Sequence, residues 1–507
     1  MTEVLLALPA LSGVAAFILR GDAARRRLLL WTAWLHFLLA SLRTAWFARF
    51  GYSFSFMYEY REFPEVREQG AAWFAFDPLG LLFLLLTSLL FLGSAHYAVR
   101  YLEQEKRDPG EDSADGAIFN NAPEAVFTGC LLFFLAAMTA VTASRHMGLL
   151  WAAVEATTLL SAPLIYFHRH KRSLEATWKY LLICSVGIAL ALMGNLFLGA
   201  AGLKSGTGLD LKGLLLGAPA LDKPLLKAAF LFLFVGYGTK MGLAPFHTWL
   251  PDAHSEAPAV VSGLLSGALL NCAFLGILRA AQVCSWAGLA EFAGGLLVLF
   301  GLFSLVTAAL FILGQRDYKR MLAYSSIEHM GILSLGAGLG GAGLYGALLG
   351  AVGHSLAKAG LFLTSGLVLA ACRTKQISEV KGLLARAPAA AVLWLTGFFV
   401  VTGTPPSAVF SGKFVILRRA LETGSWWTAG IFLASLLVIF AGLARHFADM
   451  CFGPRDAQPD EKPVEPSRAL LWPPAAFFLL AVALGLFVPE WLHALISAAG
   501  DQLRIQP

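Results

Sequence analysis

The chain has 507 residues, of which 58% are hydrophobic and only 14% are charged, and its mean hydropathy is +0.69. A soluble domain carries about 25% charged residues, so this composition excludes a soluble globular protein and indicates a chain made largely of membrane-spanning segments. The net charge of +6 does not indicate nucleic-acid binding, because the basic residues occur in short clusters between apolar stretches.

The cysteine pattern argues against a metal or redox cofactor. The six cysteines fall singly in or beside apolar stretches, at Cys130, Cys184, Cys272, Cys284, Cys372 and Cys451. None has the spacing of zinc or iron–sulfur ligands, so we expect buried, inert thiols and no metal site. The sequence also lacks a hydrolase triad, a phosphate-binding glycine loop and a dinucleotide fingerprint. We therefore predict no catalytic residue and no cofactor in this chain.

Fourteen apolar stretches are long enough to cross a bilayer core of about 30 Å. In chain order they are predicted near residues 4–20, 28–50, 77–101, 124–144, 147–167, 174–201, 225–244, 258–281, 287–314, 321–339, 342–371, 388–417, 426–450 and 470–488. The first lacks the positive n-region of a signal peptide, so we expect it to remain as a helix. Lys and Arg concentrate in the odd-numbered loops, which predicts that both termini lie outside a bacterial or archaeal cytoplasmic membrane.

Two of these stretches combine a lysine with a helix-breaking run. In the seventh, Lys240 precedes Gly242-Leu243-Ala244-Pro245, and in the twelfth, Lys413 follows Gly403-Thr404-Pro405-Pro406. Discontinuous helices at corresponding positions of two halves are typical of inverted repeats. We therefore predict an all-α polytopic membrane protein with four units: helices 1–3 (1–123), a first five-helix repeat (124–285), a second five-helix repeat (286–452), and a polar linker, helix and tail (453–507).

Once the basic residues counted with the loops, including those at the span ends, are set aside, a few remain inside the predicted spans, where a charge costs at least about 2.5 kcal/mol. They are Arg43, Lys179, Lys240, Lys358 and Lys413. Arg43 can extend its head group to the interface. Lys179 follows Glu175 by four residues, so a local ion pair and a functional role both remain open. The other three lie deeper, and we expect them to be functional because charges at this depth are rarely structural.

Acidic and imidazole groups accompany these lysines. Glu155 lies in mid-helix without a charge within one turn, and Lys240 is its expected counterion. A carboxylate that approaches or leaves a buried lysine changes how firmly the lysine holds its proton, which a pump requires. His354 and Lys358 are spaced i,i+4 on one helix face and are predicted to be consecutive relay stations.

Other titratable residues leave two interpretations open. His247, His254 and Glu256 follow the first break. Either they form a proton access path, or Asp252 and the prolines of this segment cap a re-entrant half-helix. Glu328 and His329 lie near the start of a span, where either solvation at the interface or a function explains them. For Lys413 we expect the unwound backbone to lower the cost of its charge without a dedicated acid partner.

Several long motifs resemble those of a known family. The runs GTKMGLAPFHTWLPDAHSEAP (238–258), QRDYKRMLAYSS (315–326) and HSLAKA (354–359) closely resemble the signature of the antiporter-like subunits of respiratory complex I and its relatives. The resemblance covers the whole chain and is strongest between residues 75 and 450. The runs WAAVEATT (151–158), EATWKYLLIC (175–184) and LLNC (269–272) are most similar to the F subunit of hydrogenase-4-type complexes, the group 4 membrane-bound NiFe hydrogenases.

This resemblance implies roles for individual residues. It implies a proton switch formed by Glu155 and Lys240, a relay through His354 and Lys358, and an exit site at Lys413. Two positions depart from the pattern. Asn271 replaces a lysine that several family members carry, so it can hold water but cannot titrate. Lys413 stands where close hydrogenase-4 relatives carry glutamate.

The resemblance further implies a proton-translocating subunit of a redox-driven complex of the group 4 hydrogenase or complex I type. Electrons would pass through other membrane and peripheral subunits, and protons, with Na⁺ as the alternative ion, through this chain. Two alternatives remain open: a subunit of a multisubunit Na⁺/H⁺ antiporter of the Mrp type, and the membrane partner of an inorganic-carbon uptake complex. A self-contained membrane enzyme would need cofactor ligands that the sequence does not offer.

Overall fold

The computed structural model describes residues 1–50, 73–107, 120–454 and 466–503. Within these ranges the chain is helical and forms no extended strand, with only isolated bridges such as His146 to Asp210. Some of the basic residues behind the predicted orientation lie outside the described residues; these are Arg61, Arg67, Arg455, Lys462 and Arg504.

The helices of the described ranges fall into three consecutive parts of the chain. The N-terminal part contains α1 (Thr2–Ile18), α2 (Asp22–Phe50) and α3 (Pro78–Arg107). The next contains α4 (Glu124–Ala143), α5 (Met147–Ile165), α6 (Lys171–Gly202), α7 (Leu211–Gly217), α8 (Lys223–Met241), α9 (Trp249–Glu256) and α10 (Ala259–Trp286). The last contains α11 (Ala290–Leu313), α12 (Tyr318–Leu339), α13 (Ala342–Cys372), α14 (Leu383–Arg386), α15 (Pro388–Thr402), α16 (Ala408–Glu422), α17 (Trp426–Phe452), α18 (Arg468–Leu486) and α19 (Glu490–Leu503).

Within the described ranges, 10 helices are long and apolar enough to cross a membrane. The prediction of a polytopic all-α membrane protein is therefore confirmed. The other four predicted stretches also contain helix but do not meet this criterion. The first, α1, has 17 residues, the twelfth is divided into α15 and α16, and α8 and α12 carry several charged residues. The count of fourteen spans, the inverted repeats and the four units therefore stay predictions.

The two predicted interruptions are present. Helix α8 ends at Gly242, whose φ of 80° is left-handed, and α15 ends at Gly403, whose φ of 79° is almost the same. Glycine adopts this conformation without the steric cost that a Cβ atom would bring. In each case a proline-containing turn follows before the next helix begins at Trp249 or Ala408.

Two long helices, α10 and α13, form the centre of the molecule and are buried along most of their length. Helix α13 packs against α12, α15, α16 and α18. Helix α10 contains a π-helical turn at Leu265–Leu269, immediately before Asn271. Such turns often occur at functional sites, because they redirect the side chains that follow. Asn271, His354 and Lys358 therefore project from the two central helices.

At one end of the bundle, a buried ionic cluster joins the C-terminal helix α19 to the rest of the chain. The carboxylate of Asp77 accepts hydrogen bonds from Arg279 Nη2 at 2.7 Å, Gln502 Nε2 at 2.5 Å and the Gly80 amide at 2.9 Å, and it also pairs with Arg145. Burial alone would raise the pKa of Asp77, but the two guanidinium groups lower it below its ordinary range. The cluster fixes α3, α10 and α19 to one another.

Candidate functional site

The first polar cluster surrounds Lys240 at the end of α8. Its Nζ is fully buried and donates hydrogen bonds to Thr158 Oγ1 of α5 at 2.9 Å and to the Tyr180 hydroxyl of α6 at 2.6 Å. Thr158 Oγ1 in turn donates to Glu155 Oε2 at 3.1 Å, and Ser185 Oγ donates to Glu155 Oε1 at 3.0 Å. Glu155 and Lys240 therefore belong to one cluster, as predicted, but a threonine hydroxyl lies between them.

Aromatic rings complete the surroundings of Lys240. Its Nζ lies 4.5 Å from the centre of the Tyr180 ring and 5.9 Å from that of Trp249. The Trp249 indole is held by a hydrogen bond of 2.8 Å from Nε1 to the Thr239 carbonyl, which the end of α8 leaves free. Hydroxyl acceptors and ring faces can stabilise an ammonium group without a direct acid contact. In this arrangement the Lys240 side chain contacts Thr158 directly, and the Glu155 carboxylate lies one hydrogen bond further away.

The second polar cluster surrounds Lys358 in the middle of α13. Its Nζ donates to the Leu322 carbonyl at 2.7 Å and to the Ser325 hydroxyl, both on α12. Ser325 also provides the backbone carbonyl that pairs with His329 Nδ1 at 2.7 Å. The His329 and His354 rings lie 4.9 Å apart. The structure thus brings the predicted pair His354 and Lys358 together with His329, whose role the sequence left open.

Asn271 links α10 to this second cluster. Its Nδ2 donates to the Gly267 carbonyl at 2.9 Å and to Ser355 Oγ at 2.7 Å, next to His354. His354 Nε2 lies 3.3 Å from the Ser266 carbonyl on the same π-helical turn. Among the described residues, Asn271 Oδ1 is buried without a hydrogen-bond partner. An acceptor of this kind can hold a water molecule, which is the role expected for Asn271.

Lys413 contradicts one expectation. We expected it to lack a dedicated acid partner, but its Nζ lies 2.8 Å from Glu328 Oε1 and also donates to the Thr402 carbonyl at 3.2 Å. Glu328 is only 1% exposed and His329 only 3%, so of the two explanations left open by the sequence, solvation at the interface is excluded. They lie about three turns from either end of α12, in the interior rather than at the membrane surface.

The residues after the first break separate into two places. His254 is fully buried, its ring stacks on Phe362 with centroids 4.6 Å apart, and neither ring nitrogen has a partner among the described residues. It lies within electrostatic reach of Lys319 and Lys358. His247 instead points to Tyr324, with ring centroids 6.0 Å apart. The structure therefore brings His254, and not His247, to the second cluster.

Glu256 forms part of a polar network at the end of α9. Its Oε1 pairs with Lys375 Nζ at 2.9 Å and its Oε2 lies 3.5 Å from His170 Nε2. Buried Lys319 donates to the Ala257 carbonyl at 2.5 Å and to the Ser255 carbonyl at 3.2 Å, where the helix exposes acceptors. This network surrounds the segment that carries His254.

His168 lies beside that network in the loop between α5 and α6. Burial and the nearby Lys319 lower the pKa of His168 to about 3. The neutral ring is fixed by Asn121 Oδ1 at 2.9 Å from Nδ1 and by the Tyr101 hydroxyl at 3.2 Å from Nε2. In contrast to His254, His168 is thus a satisfied structural histidine.

Lys179 is exposed and has a local explanation. Its Nζ lies 2.6 Å from Glu175 Oε1 and 3.1 Å from Asp252 Oδ2, so the i,i+4 ion pair that the sequence allowed is present. The pair lies at the surface, and surface pairs contribute about 0–1 kcal/mol. Lys179 therefore stands outside both clusters.

Known proteins share this arrangement of helices. Residues 144–438 match the family model described as "NADH:quinone oxidoreductase/Mrp antiporter, TM". These residues cover more than half of the chain and include both clusters. The chain belongs to this antiporter family.

The relatives of this antiporter-family chain agree with that assignment. It is 35% identical over 436 residues to the Hydrogenase-4 component F homolog of Methylacidiphilum infernorum, covering 84% of this chain and 89% of the relative. Its fold is similar to a chain of the archaeal membrane-bound sulfane sulfur reductase, with a TM-score of 0.83, 20% identity, and coverage of 100% and 98%. It is similarly close to a chain of the Mrp complex from Dietzia sp. DQ12-45-1b, with a TM-score of 0.82, 19% identity, and coverage of 99% and 97%.

The sequence did not reveal several partners in this antiporter-family site. Thr158, Tyr180 and Ser325 hold the two central lysines, yet hydroxyl residues are common in membrane helices and carry no spacing signal. Lys319 lies within the conspicuous QRDYKRMLAYSS run, so a basic residue at a helix start was visible. Its carbonyl acceptors at Ser255 and Ala257 were not, because they lie more than 60 residues away along the chain.

Proposed function

We propose that this antiporter-family subunit translocates protons within a redox-driven membrane complex. One observation carries the proposal: buried lysines lie on either side of the central helix α10, each hydrogen-bonded to hydroxyl groups that can pass a proton. Lys240 contacts Thr158 and Tyr180, and Lys358 contacts Ser325. Burying such groups is costly, and ionisable residues inside a membrane usually mark ion paths.

The contacts suggest an order of proton-holding sites. Glu155, through Thr158, controls the charge held at Lys240. Asn271 and His354 connect the centre to Lys358, with bound water completing the hydrogen bonds that Asn271 Oδ1 lacks. Lys413 and Glu328, near the second break, form the final site.

The Glu256 network supports a proton access path in addition to these sites. Glu256, Lys375 and His170 form a chain of titratable groups at the end of α9. His254, two residues earlier, has both ring nitrogens free among the described residues and can accept a proton on one and donate from the other. This arrangement favours an access path over a re-entrant cap.

The parent complex and membrane topology are further parts of the proposal. The 35% identity to a hydrogenase-4 component F homolog supports a group 4 hydrogenase or complex I type assembly. We infer fourteen spans in two inverted repeats, with both termini outside the cytoplasmic membrane. Similarity to an Mrp chain at 19% identity concerns the fold alone, so Na⁺ coupling stays the alternative.

The proposal is tested by replacing Lys358 with methionine in the intact complex, reconstituted in vesicles and driven by its electron donor. Lys358→Met preserves the approximate length of the side chain but removes titration, so proton movement should stop while electron transfer continues in part. Lys204→Met, which changes an exposed lysine outside both clusters, is the matched control and should pump normally. Unchanged pumping by Lys358→Met would contradict the proposal.

Native mass spectrometry of the complex tests the choice of parent assembly. Co-purification with hydrogenase or quinone-module subunits is expected. Co-purification with Mrp-type subunits alone, or with a large zinc protein of carbon uptake, would contradict the redox-driven assignment.

A further inference from the structure

Two loops meet beside the end of α9 and bring a pair of lysines together. The loop before α12 and the loop after α13 are joined by a bridge between Asp317 and Gln376. The Tyr318 amide also donates to the Lys375 carbonyl at 3.2 Å. Lys319, which is the second residue of α12, therefore lies close to Lys375. Both lysines belong to odd-numbered loops, which the proposed topology places on the inner side of the membrane.

The two lysines share one hydrogen-bond acceptor. Lys319 Nζ donates to the Ser255 carbonyl at 3.2 Å, and Lys375 Nζ donates to the same oxygen at 3.1 Å. A carbonyl oxygen has two lone pairs and can accept both bonds. Two ammonium groups on one oxygen repel each other, so a proton on one lysine makes a proton on the other less stable.

The counter-charges favour Lys375 over Lys319. Lys375 Nζ pairs with Glu256 Oε1 at 2.9 Å, whereas Lys319 forms no ion pair within the described ranges. The Asp317 carboxylate, at the same helix start, instead accepts the Lys319 amide at 2.7 Å and the Ser255 hydroxyl at 2.5 Å. Lys319 is also the more buried of the two, at 3% exposure. Of the pair, Lys319 is therefore the group that gives up its proton first.

The surroundings of Lys319 bring its titration close to neutral pH. Lys319 lies in the first turn of α12, ahead of the predicted span at 321–339. Burial and the neighbouring Lys375 lower the pKa of Lys319 to about 7, against the opposing effects of Asp317 and Glu256. The charged and titratable groups within its electrostatic reach are Lys375, Asp317, Glu256, His168 and His254. An amine in this range can both take up and release a proton at neutral pH.

His254 is the titratable group that lies between Lys319 and the second cluster. It is fully buried and within electrostatic reach of both Lys319 and Lys358. Neither of its ring nitrogens has a hydrogen-bond partner among the described residues. A buried imidazole of this kind can bind water, and bound water can join it to a neighbouring amine.

We propose that Lys319 is the proton-loading residue of the access path. A proton leaves Lys319 Nζ, crosses bound water and forms an N–H bond on His254, while the electron pair left on Nζ accepts the next proton from the Glu256 network. Lys375 keeps its own proton through Glu256 and drives the release by repulsion. The inference rests on the proposed function and adds the residue that passes protons from the Glu256 network to His254.

Replacing Lys319 with arginine in the intact complex tests this role. Lys319→Arg keeps the positive charge and the donors for the Ser255 and Ala257 carbonyls, but a guanidinium group does not release its proton. We expect the complex to assemble and transfer electrons in part, and to lose redox-driven acidification of vesicles. Lys204→Arg, at an exposed lysine outside the network, is the matched control and should pump normally. Normal pumping by Lys319→Arg would overturn the proposal, because a purely structural cation would tolerate arginine.

Replacing Lys375 with methionine gives a second test that leaves Lys319 in place. Loss of the Lys375 charge removes the repulsion and leaves Glu256 without its partner, and both changes stabilise the ammonium form of Lys319. Lys319 then releases its proton only at higher pH, so the pH optimum of proton pumping should move upward. Lys204→Met should leave the optimum unchanged. An unchanged or lowered optimum in Lys375→Met would overturn the proposal.

Proton pumping by Lys358→Met separates this inference from the proposed function. If Lys358→Met stops pumping while Lys319→Arg pumps normally, the loading role of Lys319 is wrong and the proposed function stands. If Lys358→Met also pumps normally, the proposed function is wrong and the loading role fails with it.

Discussion

At the scale of single residues, the two lysines beside the helix breaks are buried in different ways. Lys240 is held by two hydroxyl groups and two aromatic rings, with its acid one hydrogen bond further away. Lys413 is in direct contact with Glu328 at 2.8 Å. The ammonium group of Lys413 thus has a direct ionic partner, whereas that of Lys240 reaches its acid only through the hydroxyl group of Thr158. This difference in contacts is the basis for the separate roles proposed for the two lysines.

The Lys413–Glu328 contact changes what substitution at Lys413 should do. From the sequence alone, Lys413→Glu would be expected to keep substantial transport, because a carboxyl group also carries a proton. The structure places the new carboxyl group beside Glu328, and two adjacent carboxylates cannot both be ionised. We therefore predict that Lys413→Glu impairs proton pumping and that Lys413→Glu combined with Glu328→Gln restores part of it.

Redox-driven acidification of vesicles measures both Lys413 variants, and Lys413→Met serves as the non-titrating reference that should not pump. Equal pumping by Lys413→Met and the unmodified complex would show that this lysine is structural.

Asn271 should act through bound water rather than through titration. Asn271→Leu removes the donor to Ser355 and the free acceptor Oδ1, so we expect slower proton transport with little change in electron transfer. Asn271→Lys restores a polar, titratable group at this position and should retain activity. The measurement is the number of protons moved per electron transferred. A normal ratio in Asn271→Leu would place the path elsewhere.

At the scale of helices, the first break is stable because another helix covers it. Ser304 Oγ accepts the Ala244 amide proton in a fully buried turn. Ser304→Ala should leave that amide unsatisfied and lower the free energy of unfolding by about 1–3 kcal/mol. Ser334→Ala is the control, because the buried Ser334 hydroxyl on α12 has no partner among the described residues.

The midpoint of thermal unfolding of the purified complex compares these two serine variants. We expect a lower midpoint for Ser304→Ala and an unchanged or higher midpoint for Ser334→Ala. The reverse order would mean that the Ser304 contact contributes nothing to the stability of the break.

The ionic cluster at Asp77 should also be essential for the position of α19. Asp77→Asn leaves Arg145 and Arg279 without their shared counterion, and removing one member of a buried pair costs about 3–5 kcal/mol. Adding Arg279→Gln removes one of the unpaired charges, so the double variant should recover part of the loss. The midpoint of thermal unfolding of the complex compares the Asp77→Asn variant with the double variant. A double variant less stable than Asp77→Asn would contradict this account of the cluster.

At the scale of the whole molecule, the sequence predicted the elements better than it predicted their contacts. The length of the apolar stretches predicted the helices, and Gly242 and Gly403 predicted where two of these helices end. Both signals are local, because each depends only on neighbouring residues in the sequence. Glu155, Lys240 and Lys358 were identified because an isolated charge in a span is conspicuous. The pairing of Lys413 with Glu328 was missed, since it joins α16 to α12 across 85 residues and depends on the rotation of both helices.

The central claim is that Glu155 and Lys240 together switch the proton path, and the most direct test measures proton pumping by Glu155→Gln and Lys240→Ala in the assembled complex. Each should abolish redox-driven proton movement while the complex still assembles, because neither group has its function without the other. Glu175→Gln, at an exposed surface acid, is the matched control and should pump normally. Pumping by Lys240→Ala at the rate of the unmodified complex would contradict the account.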